Sequence, residues 1–263
     1  MGDKNDYKRM LHTAYENFVE KGDARGAIKI VNKVLDSTTQ ENVVASAYCL
    51  RGMIYTETGE FKKAIPDLTS AISFVPDYAE AFYNRGLSYV FLKRYDRALA
   101  DFFKVLQIDS KHVDAQFHVG LTYQLMKEYD KAIKAYNKTL KLAPDFDLAY
   151  QQRGVAYAIL NKVDKAFKDF TTAIELGVAE CISYKLRGYI YVEREEYEKA
   201  IEDLNEALKL ASPQEKTWDL YLKRAIAYDE LGEVDAAIED FEKAKSLGWE
   251  GTYKVVNLDE EAE

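Results

Sequence analysis

The sequence predicts an all-α protein built from seven copies of a helical hairpin. Breakers are rare, with only 4 Pro and 13 Gly in 263 residues, and such a composition favours helices. Apolar residues recur at helical spacing in paired stretches, such as 81–91 and 95–106, with a short polar turn at Lys93 and Arg94 between them. The strongest observation is an internal repeat of 34 residues, since regular repeats of this length are typical of stacked helix pairs.

Small and large residues recur in register through the copies. The glycine column is Gly52, Gly86, Gly120, Gly154 and Gly188. The large apolar column is Val31, Leu68, Phe102, Tyr136, Phe170, Leu204 and Phe241. A glycine inside a helix costs about 1 kcal/mol relative to alanine. Its recurrence at one position therefore predicts a close contact between the two helices of each copy.

The copies start near residues 8, 45, 79, 113, 147, 181 and 218. Two insertions of three residues fall within 36–44 and 212–217, between copies, and are expected to lengthen loops only. We predict one solenoid over residues 8–251, in which each copy buries its apolar face against its neighbours. Residues 1–7 are expected to form an N-terminal extension, and residues 252–263 a partial capping segment with an acidic tail.

The order of recurring residues resembles the tetratricopeptide repeat. In the copy at 45–78 the matching residues are Tyr48, Gly52, Tyr55, Gly59, Phe61, Ala64, Leu68, Ala71 and Pro76. The resemblance implies a right-handed superhelical solenoid whose first helices line a concave groove. It also implies a non-enzymatic scaffold or adaptor that binds a peptide or protein segment in this groove.

The resemblance also indicates which side chains line the groove. The residues at the family's groove positions are Cys49, Met53, Tyr83, Asn84, Leu87, Phe91, Phe117, His118, Leu121, Gln124, Leu125, Gln152 and Val155. Several of them are apolar at i, i+4 and i+8 of one helix, and an exposed apolar strip usually marks a binding site. Alternatively, a tight superhelix or the protein's own tail covers the strip. The alternative function is a self-assembling structural protein whose groove receives the terminus of another copy.

The polar groove positions do not fit the clamp with which some family members hold the tails of heat-shock chaperones. That clamp needs Lys and Asn on one repeat, Asn on the next, and Lys and Arg on a third. Only Asn84 matches, and the following copy offers Asp114 and His118 instead of Lys and Arg. Binding of chaperone C-terminal tails is therefore not expected.

A second pattern links the two helices of five copies. Arginines stand just before the Gly or Ala column, and an aspartate follows each of them 16 residues later. The pairs are Arg51 with Asp67, Arg85 with Asp101, Arg153 with Asp169, Arg187 with Asp203, and Arg224 with Asp240. The copies with Ala14 and Val119 in place of the arginine also lack the aspartate. Because residues 16 apart face each other in such a hairpin, we predict five interhelical ion pairs.

Charge and composition argue against several other classes of protein. With 45 acidic and 36 basic residues the net charge is −9, which disfavours a nucleic-acid binder. No apolar run is long enough to span a membrane, and the N-terminus lacks the features of a signal peptide. Cys49 and Cys181 have no disulfide or metal-ligand spacing, so we expect a reducing, cytoplasmic compartment.

Nothing in the sequence gathers catalytic groups. His12, His112 and His118 belong to no recognisable metal-ligand motif, and phosphate-loop and nucleophile motifs are absent from the sequence. We therefore expect neither an enzyme nor a cofactor. The C-terminal end, without a full capping helix, offers a surface for a homodimer.

Overall fold

The computed structural model describes residues 4–177, 181–213 and 216–252. The described elements are fourteen α-helices, with no strand among these residues, so the all-α prediction is confirmed. They are α1 (Lys4–Lys21), α2 (Ala24–Ser37), α3 (Glu41–Glu57), α4 (Phe61–Phe74), α5 (Ala79–Phe91), α6 (Tyr95–Ile108), α7 (Val113–Leu125), α8 (Tyr129–Leu142), α9 (Asp147–Ile159), α10 (Val163–Glu175), α11 (Cys181–Glu193), α12 (Tyr197–Leu210), α13 (Trp218–Glu230) and α14 (Val234–Ser246).

The chain forms two compact units, Met1–Ala143 with α1 to α8 and Pro144–Glu263 with α9 to α14. Within each unit, every odd-numbered helix packs against the helix that follows it, as expected for hairpins. Helix α1 already begins at Lys4, and the Tyr7 hydroxyl donates a hydrogen bond to the Ser37 carbonyl at 2.8 Å. Much of the expected N-terminal extension is thus part of the first hairpin. The predicted acidic tail at 259–263 and most of the capping segment lie outside the described residues.

All seven turns inside the hairpins use the same backbone conformation. One residue in each turn has a left-handed φ of 54° to 78°. These residues are Gly22, Gly59, Lys93, Lys127, Asn161, Glu195 and Gly232. In the third copy, the Arg94 N–H then donates to the Tyr89 carbonyl at 2.8 Å, a bond typical of a helix end with a left-handed residue. This geometry ends the first helix and directs the chain into the second.

The glycine column makes room for side chains of the large apolar column. A Cβ added at Gly120 would lie 2.5 Å from Cε1 of Tyr136, and one at Gly86 would lie 2.7 Å from Cε1 of Phe102. The predicted close contact between helices is therefore confirmed. The nearest atoms are those of a buried side chain 16 residues later, however, and not the facing backbone.

The five predicted Arg–Asp pairs are confirmed. Each arginine donates through Nε and Nη2 to both oxygens of its aspartate, over 2.6–2.8 Å. In the second, third and seventh copies Nη1 also donates to the second helix of the preceding copy. The acceptors are Asn32 for Arg51, Thr69 for Arg85 and Asn205 for Arg224. Each of these three guanidinium groups thus joins three helices.

Candidate functional site

The first helices of the second, third and fourth copies form one surface in the unit Met1–Ala143. We call the outward side of α3, α5 and α7 the first-helix face; α5 contacts both of the other two helices. A buried hydrogen bond of 2.9 Å joins the hydroxyl groups of Thr56 on α3 and Ser88 on α5. The Tyr83 ring on α5 meets the His118 ring on α7 edge-on, with centroids 5.5 Å apart. These contacts fix the spacing of the side chains on the face.

Three of the predicted groove residues are buried, which corrects the expectation that their side chains line an accessible groove. Cys49, Asn84 and Phe117 are 2%, 5% and 7% exposed. Asn84 donates to the carbonyl of Glu80 on its own helix at 2.9 Å, and the Phe117 ring packs against Tyr136 at 5.7 Å. Burial raises the pKa of the Cys49 thiol to about 12, so it stays protonated at neutral pH. These side chains support the helices and offer little area to a partner.

Most of the other candidates are half-buried. In the first unit these are Met53, Tyr83, Leu87, His118, Leu121 and Gln124, and in the second unit Gln152 and Val155. Gln124 accepts a hydrogen bond from the Tyr136 hydroxyl at 3.1 Å, so its amide is fixed to the second helix of its copy. Half-buried side chains of this kind can present one edge to a partner.

The most exposed apolar candidates lie at the ends of the first helices. Phe91 ends α5 and is 63% exposed, and Leu125 ends α7 and is 45% exposed. The Phe91 ring stacks on Phe61 of the preceding hairpin, with centroids 4.5 Å apart and an angle of 6° between the rings. Phe91 is therefore held in place although one side of its ring faces solvent. In the second unit, Ile159 occupies the equivalent end of α9 and is also exposed.

Tyr83 lies at the centre of a polar cluster. Nδ1 of His118 is 2.8 Å from the Asp114 carbonyl, which can only accept, so Nδ1 carries a proton. The Tyr83 hydroxyl is 3.3 Å from the same nitrogen, and its ring stacks on His112 at 5.2 Å. Burial raises the pKa of Tyr83, and the carboxylates of Asp114 and Glu57 raise it further. The cluster thus has acidic groups from both neighbouring helices around one tyrosine.

We expect this cluster to lose stability in mild acid. Burial lowers the pKa of His118 below its ordinary value of 6.5, so the folded state favours the neutral ring. This contribution to stability is fully present above pH 6.5. It is lost as the pH falls from 6.5 to the lowered pKa, because in this range the unfolded chain binds the proton and the folded chain does not. The free energy of unfolding, measured by urea titration between pH 7 and pH 5, should decrease less in His118→Gln than in the wild type. The exposed His12→Gln variant is the control, and equal slopes for His118→Gln and wild type would contradict the assignment.

The described residues form neither a metal-binding cluster nor a membrane-spanning helix. No three His, Cys, Asp or Glu side chains among them are grouped so that they could hold a metal ion. Within the same part of the chain, every helix is too short or too polar to reach across a lipid bilayer.

Comparison with known proteins identifies the repeat. Models described as tetratricopeptide repeat match residues 79–112, 113–146, 148–176 and 185–251, and a model described as TPR repeat matches residues 52–92. A search of curated proteins finds no match.

Solved structures with the same fold include MamA, at 31% identity and a TM-score of 0.56, over 67% of this chain and 95% of that one. A tetratricopeptide repeat protein from Parabacteroides merdae ATCC 43184 matches over 94% of both chains, at 23% identity and a TM-score of 0.66. YrrB, described as a TPR protein with an unusual peptide-binding site, matches at 21% identity and a TM-score of 0.55, over 70% of this chain and 93% of that one. With its recurring glycine and large apolar columns and its paired helices, the chain belongs to the tetratricopeptide repeat family.

Proposed function

We propose that the chain is a non-enzymatic interaction scaffold and that its first-helix face captures a peptide or protein segment. The observation that carries this proposal is the pair of exposed apolar side chains, Phe91 and Leu125, at the ends of α5 and α7. Rigid aromatic side chains are common energetic centres of protein interfaces, since little conformational entropy is lost when they bind. The stacking of Phe91 on Phe61 provides this rigidity.

The charge of the face supports a specific kind of partner. The acidic side chains of Glu57 and Asp114 lie near Tyr83. The only Lys or Arg residues on α3, α5 and α7 are Arg51 and Arg85, and both are bound to aspartates of their own copies. Charges across an interface tend to be complementary. We therefore propose a partner segment that carries Lys or Arg beside large apolar residues.

The same charge distribution supports two exclusions made from the sequence. An acidic face repels the phosphates of nucleic acids, and it also repels the acidic tails of heat-shock chaperones. The likeness to YrrB supports peptide binding in general terms, because that protein is described by its peptide-binding site. Among the described residues neither Cys49 nor Cys181 forms a disulfide, which fits the reducing, cytoplasmic compartment that we propose for the chain.

The test is selection of ligands from a library of short displayed peptides, with the full chain as bait. We expect enriched sequences to place Lys or Arg next to Leu, Phe or Trp. Binding of an enriched synthetic peptide, measured by fluorescence anisotropy, should weaken about tenfold or more in Phe91→Ala/Leu125→Ala, because the apolar contact is lost while the charge of the face is unchanged.

The matched control is Leu210→Ala/Leu247→Ala, which makes the same kind of truncation at exposed apolar positions of the other unit, one at the end of α12 and one directly after α14. This control should bind the peptide as the wild type does. Equal affinity of the Phe91/Leu125 variant and the wild type would refute the proposed surface.

A further inference from the structure

An aromatic ring belongs to each of the five Arg–Asp pairs. The ring stands three residues before the arginine, and the guanidinium carbon lies 5.3–5.9 Å from its centroid. The rings are those of Tyr48, Phe82, Tyr150, Tyr184 and Tyr221. In the third copy, Phe82 is packed with Ile72 of the preceding second helix and Leu106 of its own. The ring therefore fills the space between two successive second helices.

The fourth copy lacks all three members of this arrangement. Gln116, Val119 and Ala135 stand where the other copies have the ring, the arginine and the aspartate. The Gln116 side chain is buried and donates to the carbonyl of Ala135 at 3.4 Å. The Gln116 amide is smaller than the ring of Phe or Tyr, so it occupies less of this volume.

A cavity of about 660 Å³ lies at this place, between α6 and α8. Its lining includes Gln116, Phe103, Leu106 and Leu142, and Phe103 and Leu142 are exposed through its open side. The volume is within the range of about 300–1,000 Å³ found for ligand pockets. The cavity is on the second-helix side and shares no lining residue with the first-helix face.

The rim of the cavity is basic in an otherwise acidic protein. Helix α8 carries Lys131, Lys134, Lys138 and Lys141 against a single acidic residue, Asp130. Lys138 and Lys141 line the cavity. In the part of the chain that the structure describes, Lys134, Lys138 and Lys141 form no salt bridge, although Lys131 pairs with Glu128. An apolar cavity beside unpaired lysines fits a segment with apolar residues followed by carboxylates.

Residues 255–263 of this chain form a segment of this kind. Residues 255–258 read Val-Val-Asn-Leu, and residues 259–263 read Asp-Glu-Glu-Ala-Glu. We propose that the cavity between α6 and α8 receives residues 255–263 of a second copy of the chain. The apolar residues take the volume that Gln116 leaves, and the carboxylates meet Lys138 and Lys141. Copies joined in this way leave the first-helix face free for other partners.

Sedimentation velocity of the full chain tests the proposal over a range of protein and salt concentrations. We expect reversible self-association that weakens with salt, because the contact is partly electrostatic. Lys138→Glu/Lys141→Glu should raise the dissociation constant about tenfold or more, and Asp259→Lys/Glu260→Lys/Glu261→Lys should do the same. Combining both reversals should restore association, because opposite charges meet again.

Two more variants separate docking from folding. Gln116→Phe restores the ring present in five other copies, and it should block association while circular dichroism shows a folded chain. Lys33→Glu/Lys62→Glu makes the same change in net charge at exposed lysines away from the cavity, and it should associate as the wild type does. A monomeric wild type at all concentrations, or unchanged association in the Lys138/Lys141 or Gln116 variant, would overturn the proposal. So would failure of the combined reversal to regain association.

Discussion

Asp101→Ala should lower the free energy of unfolding by about 3 kcal/mol, the magnitude seen when one partner of a buried ion pair is removed. The Asp101 and Arg85 side chains are only 7% and 16% exposed. The substitution leaves Nε and Nη2 of Arg85 without their acceptors, and the remaining acceptor in this arrangement is the Thr69 hydroxyl at 3.1 Å. Urea titration gives the overall change, and hydrogen exchange on α5 and α6 shows whether it is local.

The chain itself offers the matched control. The fourth copy packs with Val119 and Ala135 at the positions of the pair, and both are buried. Arg85→Val/Asp101→Ala copies that arrangement and leaves no unpaired charge. The double variant should therefore cost less than Asp101→Ala alone. An equal or larger loss in the double variant would show that the charge is not what makes the single substitution costly.

Gly120→Ala should destabilise the chain by about 1–3 kcal/mol through overpacking, although alanine is intrinsically the better helix former by about 1 kcal/mol. The new methyl group would lie 2.5 Å from Cε1 and 2.7 Å from Cδ1 of the Tyr136 ring. That ring is fully buried, and its hydroxyl is bonded to Gln124, so it has little freedom to move away.

Gly188→Ala is the comparison within the same protein. Its methyl group would first meet Cγ of Leu204 at 3.1 Å, and a leucine side chain yields more easily than a ring. We expect thermal unfolding of Gly188→Ala to be close to that of the wild type, and Gly120→Ala to melt well below it. Similar melting of the two variants would show that the ring contact does not explain the glycine column.

The periodic part of the architecture could be predicted from the sequence. Residues that recur at a fixed interval occupy equivalent positions in the fold, because each copy packs against the same kind of neighbours as the copy before it. This is why the joint absence of Arg and Asp in the fourth copy predicted a contact between them. The same comparison could have revealed the cavity, since Gln116 interrupts a column whose other members in the second to seventh copies are aromatic.

The accessible part of the candidate site was harder to predict. Tyr83 and Phe117 occupy equivalent positions, but Tyr83 is half-buried beside His118, and Phe117 is buried against Tyr136. Their exposure depends on the particular side chains of the next helices and not on the repeat. The stacking of Phe91 on Phe61 likewise joins two copies and follows no column.

The third nitrogen of the arginines links the stability of neighbouring copies. Nη1 of Arg51, Arg85 and Arg224 each reaches an acceptor on the hairpin before it. When either of two joined hairpins opens, this bond is lost to both, so each hairpin is stabilised by its neighbour. Such coupling between neighbours makes the joined hairpins of a unit unfold together, whichever of them opens first.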